Sequence, residues 1–124
     1  MQVKIDTKEK FHVITPLETA LSATMADGMD IALLPFLQNN VKNVVLNMQN
    51  VQEMDEASVE KLLDIQQRFY EASASFILCD LTDAMESFLT DSENGELLNV
   101  APTESEAWDI VQMEEIEREL LDGE

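Results

Sequence analysis

The chain has 124 residues, 45% of them hydrophobic and 27% charged, which suits one domain with a buried core. Seven Lys and Arg against 26 Asp and Glu give a net charge of −19, and so acidic a surface argues against nucleic acid and anionic lipid as partners. A single cysteine, Cys79, excludes an intrachain disulfide and any multi-cysteine metal site.

In chain order, Val3, Ile5 and Thr7 alternate with polar neighbours and predict a half-buried strand. Phe11, Val13 and Ile14 predict a second strand ended by Pro16, joined to the first as a hairpin. Met25, Met29, Ala32, Leu33, Phe36 and Leu37 recur at helical spacing. Gly28 and Pro35 lie inside that pattern, so the helix is expected to bend or break near Pro35. The run Asn43 to Met48 reads as a buried central strand. Val59, Leu62, Leu63, Ile65, Phe69 and Tyr70 define an amphipathic helix.

Ser75 to Leu81 predicts another buried strand, and Met85, Phe88 and Leu89 mark a short helix. Leu97, Leu98 and Val100 make a last strand before Pro102. Thr103 and Glu106 form a capping box that opens a C-terminal helix running to about Leu121. The order β-β-α-β-α-β-α-β-α predicts an α/β fold: a mixed, largely parallel sheet of about five strands with about four helices.

No run of about 18 apolar residues could span a bilayer. Lys4, Asp6, Lys8, Glu9 and Lys10 interrupt any signal sequence, so direct membrane insertion is not expected and a cytoplasmic location is. Charge is unevenly spread. Residues 1–68 carry 10 acids and 6 bases (net −4), whereas residues 69–124 carry 16 acids and one base, Arg118 (net −15). The pattern of the last helix continues past a domain expected over residues 1–112, so an acidic helical extension is expected over 113–124. Ile116, Leu120 and Leu121 place an apolar strip on that extension.

Catalytic motifs are lacking. Three scattered glycines provide no phosphate-cradling loop. His12, the only histidine, lies in a predicted strand beside Phe11 and Val13 and reads as a structural residue. Cys79 sits among apolar neighbours and reads as an inert thiol. Asp91 to Glu96 is superficially like a calcium loop. Its glycine falls at the fifth position instead of the sixth, and Pro102 stands where the bidentate glutamate belongs. No metal, no cofactor and no enzymatic activity are expected.

The most informative segment runs from the strand Asn43–Met48 through a polar turn to Asp55-Glu56-Ala57-Ser58-Val59 at the start of the amphipathic helix. Asp55 is placed to cap that helix, and Glu56 favours its positive end. This arrangement resembles the STAS domain of the anti-sigma factor antagonists, in which a strand leads to hydrophobic-Asp-Ser-Ser-Gly-hydrophobic and then a helix. Met54-Asp55-Glu56-Ala57-Ser58-Val59 falls on that pattern. The likeness extends over roughly residues 10–112, taking in Thr15-Pro16-Leu17-Glu18, the strand Phe76–Cys79 and the start of the last helix.

The resemblance implies a non-enzymatic, protein-binding module of bacterial signalling and transcription regulation. Its expected partner is an anti-sigma factor or kinase-like regulatory protein, gripped at Asp55, Glu56, Ala57 and Ser58. STAS modules also serve as accessory subunits of membrane transporters, which makes a transporter ATPase the alternative partner. In the family the second serine of the motif accepts phosphate, a modification suited to a helix N-terminus and able to abolish docking by its charge. Ala57 holds that position here and has no hydroxyl. Ser58 is the adjacent candidate acceptor, but one further residue turns the side chain about 100° around the helix.

Overall fold

The computed structural model describes residues 1–122. Strands β1 (Val3–Thr7) and β2 (His12–Pro16) form the expected antiparallel hairpin, in a register that sets Val3 opposite Pro16 and Thr7 opposite His12. Then come β3 (Ala20–Leu21), a 3-10 turn over Ala23–Met25, helix α1 (Ala26–Leu33) and a second 3-10 turn over Leu34–Gln38. The expected break falls where Pro35 lacks an amide and its ring would clash with the preceding turn. The chain continues through β4 (Val44–Asn47), β5 (Glu53–Met54), α2 (Glu56–Glu71), β6 (Phe76–Cys79) and α3 (Asp83–Asp91). It ends with a 3-10 turn over Gly95–Leu97, β7 (Val100–Ala101) and α4 (Glu104–Asp122).

The five-stranded sheet has the order β1-β2-β4-β6-β7, with β2, β4, β6 and β7 mutually parallel and β1 antiparallel at the edge. This is the mixed α/β architecture read from the sequence. β3 and β5 are additions to it: they pair in parallel as a separate two-stranded sheet. Neither is long enough to display an alternating pattern.

Side-chain alternation along the central strands divides the core. Ile14, Val44, Leu46, Phe76 and Leu78 share one core with residues of α1, α2 and α3. Val13, Val45, Ile77 and Cys79 point the other way and meet Ala107 and Val111 of α4. Helices α1 to α3 therefore cover one face and α4 alone covers the other. Phe11 and Trp108 stack at the α4 contact, with ring centroids 4.9 Å apart, an arrangement worth about 1 kcal/mol beyond its area.

Thr103 caps α4 as expected, its Oγ1 accepting the Glu106 amide at 3.1 Å. The helix is continuous to Asp122, and its second half is tied to the body by polar groups. Ser75 Oγ donates to Glu114 Oε1 at 2.6 Å, and Arg118 donates to Ser75 Oγ at 3.3 Å and Asn43 Oδ1 at 3.4 Å. Asn43 is itself buried, accepting the Ser75 amide and donating to the Lys10 carbonyl.

Candidate functional site

The corner entering α2 is built by the small β3–β5 sheet. The Asp55 amide donates to the Leu21 carbonyl at 3.4 Å, and the Gln52 amide to the Thr19 carbonyl at 2.7 Å. These bonds place the turn before α1 beside the start of α2. Asp55 occupies the N-cap with extended backbone angles. Its Oδ1 accepts both the Ser58 amide (2.9 Å) and the Ser58 hydroxyl (2.7 Å), while Oδ2 accepts the Ala23 amide (3.0 Å). One carboxylate thus satisfies a free amide of α2 and another from the neighbouring turn. Above all the Ser58 hydroxyl, and next the Ala23 amide, hold the Asp55 carboxyl below its ordinary pKa of 3.8.

The four residues singled out by the sequence do not share one environment. Asp55, Glu56 and Ala57 are exposed, whereas Ser58 is 1% exposed. Ser58 lies four residues before Leu62 and seven before Ile65, on the buried stripe of α2. That spacing was visible in the sequence and is the signal from which its burial could have been read. Glu56 Oε2 accepts the Ser92 hydroxyl at 2.9 Å, fastening the end of α3 to the start of α2. Ala23 and Ser92 are the members of this corner that no sequence motif marked. The result is a hydrogen-bonded tip with exposed carboxylates and, at Ala57, a bare methyl group.

At the ends of the neighbouring strands, Asn47 Nδ2 donates to Asp80 Oδ2 at 2.9 Å, and Asp80 has a left-handed backbone (φ 54°). His12 has both ring nitrogens engaged, Nδ1 with Thr7 Oγ1 at 3.0 Å and Nε2 with the Val41 carbonyl at 2.9 Å. Cys79 is fully buried. Desolvation, reinforced by the Asp80 carboxylate, drives its thiol far up from the ordinary range. Among the described residues no group of three or more His, Cys, Asp or Glu side chains is arranged to hold a metal ion. Nor is any helix among them long and apolar enough to cross a membrane.

A five-stranded mixed sheet with one helix alone on its second face, and an aspartate-capped tip leading into α2, are the features of an α/β module of the STAS type. The STAS domain family model matches residues 2–107, and the chain belongs to that family. No curated protein matches the chain in sequence. Among solved structures it is similar to a candidate anti-sigma factor antagonist of Thermotoga maritima, with a TM-score of 0.75 and 17% identity over 89% of this chain and 94% of that one. The Bacillus cell fate determinant SpoIIAA, in its phosphorylated form, gives a TM-score of 0.60 and 20% identity over 89% of this chain and 99% of that one. The murine anion transporter Slc26a9 contains a similar fold, with a TM-score of 0.70 and 12% identity over 84% of this chain and 18% of that one.

Proposed function

We propose that this STAS domain is a non-enzymatic binding module of bacterial signalling in the cytoplasm. It would engage an anti-sigma factor or kinase-like regulatory protein through the tip formed by Asp55, Glu56 and Ala57, with Ser58 as the internal support of that tip. It would act without the phosphorylation switch of its relatives. The observation that carries this reading is the pairing of an exposed Ala57, which has no acceptor oxygen, with a buried Ser58 whose hydroxyl is committed to Asp55. A phosphate on Ser58 would break the cap and bring added charge against Asp55 and Glu56. Binding would then follow the abundance of the protein. The engaged ring of His12 and the buried Cys79 thiol favour a binding role over catalysis.

The test is co-expression with candidate partner kinases, followed by intact-mass measurement and titration of the purified partner. The wild-type chain should remain unphosphorylated, and Ala57→Ser should restore an exposed acceptor. Ala57→Glu should weaken partner binding about tenfold or more by placing charge at the contact. Phosphate on Ser58, or unaltered binding by Ala57→Glu, would overturn the reading. The likeness to a transporter's domain favours a second reading, an accessory subunit of a transporter complex. Selective recovery of a transporter ATPase in a pull-down would support that alternative.

A further inference from the structure

The second half of α4 has two opposed faces. Glu114 and Arg118, one turn apart, point inward and bond to Ser75 and Asn43. At about 100° per residue, Met113, Ile116 and Leu120 fall together on the opposite side. All three are exposed, Met113 at 60%, Ile116 at 56% and Leu120 at 69%. Their spacing of three and then four residues is that of a short heptad seam. Asp109 lies in line with the seam at its N-terminal end, and Glu117 and Glu119 flank it on either side. Arg118, the one base of α4, is drawn to the inner face, and among the described residues Asp109, Glu117 and Glu119 form no ion pair, although Glu119 borders a groove that Lys10 and Lys42 also line.

We propose that this outer face of α4 is a second docking surface, and that its occupant is a basic amphipathic helix of another protein. The apolar seam supplies the buried contact, and the flanking carboxylates select Lys or Arg on the incoming helix. A second copy of this chain is the wrong occupant. Pairing α4 with α4 would bring like-charged flanks together in a protein of net charge −19. Glu119 also stands in the last described turn of α4, near the negative end of the helix dipole, where a cationic partner relieves the repulsion. The surface is separate from the tip at Asp55 and does not depend on the partner proposed there.

The test uses the full chain and a synthetic helical probe about three heptads long, with Leu at the a and d positions and Lys at e and g. A twin probe carries Glu at e and g. Fluorescence anisotropy should show that the lysine probe binds, that its affinity falls as salt rises, and that the glutamate twin does not bind. Ile116→Ser combined with Leu120→Ser keeps every charge and should lower affinity about tenfold or more. Glu117→Gln with Glu119→Gln should weaken binding and flatten its salt dependence. Circular dichroism and thermal melts should show both variants folded, since all four side chains are exposed. Three results would overturn the proposal. Undiminished binding by the double serine variant would mean that charge alone attracts the probe. Equal binding of the glutamate twin would remove the charge selection. Self-association of the wild-type chain in sedimentation, abolished by the serine substitutions, would make a second copy the occupant.

Discussion

Asp55 joins two parts of the chain with one side chain, since its two oxygens bond separately to α2 and to the turn before α1. Replacing it with alanine removes an N-cap, a loss of about 1 kcal/mol. The contribution depends on pH in a defined sense. Because folding lowers its pKa below 3.8, the unfolded chain takes up the proton first on acidification. Its stabilisation is therefore complete above the unfolded value and is lost as pH falls through the lower, folded value. Urea denaturation of the wild type and of Asp55→Asn across a pH series should show a stability gap that is constant at neutral pH and narrows below about pH 4. A gap independent of pH would mean that the carboxylate acts by shape alone. The cap was legible in the sequence because an aspartate preceding an apolar helical period has few other readings. The bond to Ala23 was not, since it depends on a segment about thirty residues away being carried alongside by a two-residue strand pair.

At the level of the element, α2 shows how a helix can end without glycine. After Glu71, Ser73 takes a left-handed conformation at φ 60°. The Ala74 amide bonds to the Phe69 carbonyl and the Ser73 amide to the Tyr70 carbonyl, closing the last turn by a Schellman arrangement. Serine is strained in that backbone region where glycine is not. Ser73→Gly should accordingly raise stability by about 0.5–1 kcal/mol, read as a higher denaturation midpoint with unchanged slope. A lower midpoint would show that the Ser73 side chain contributes more than its backbone costs. The sequence supplied no glycine to mark this stop, although the apolar stripe of α2 marked the helix itself. The same contrast holds elsewhere. The apolar cores of β4 and β6 were readable as continuous buried runs, but β3 and β5, with two residues each, are held by backbone bonds that leave no pattern in side-chain type.

For the whole molecule, the dominant quantity is the net charge of −19. Such an excess keeps copies apart in solution and also strains the compact state by self-repulsion. Sodium chloride should therefore raise the melting temperature, by about 4 °C for each kcal/mol of repulsion relieved. A flat or falling profile would show that the described ion pairs, such as Lys61 with Asp30 at 2.6 Å, outweigh the excess. Of the extension expected over residues 113–124, residues 123 and 124 lie outside the described residues, and the acidic bias of 113–124 is plain in the sequence. Which face of that segment turns inward was not, because Glu114 and Arg118 are indistinguishable from their charged neighbours until Ser75 and Asn43 are brought beneath them.

The isolation of Cys79 gives experimenters a chemically silent background. A lone thiol that is fully buried and held protonated will ignore maleimide reagents while the fold is intact. Cysteines introduced at the exposed Glu60, one turn beyond the tip, and at the exposed Gln112, beside the α4 seam and outside it, could each carry a fluorophore without first mutating the native one. Reporters at the tip and on α4 would then distinguish simultaneous from mutually exclusive occupancy of the two surfaces.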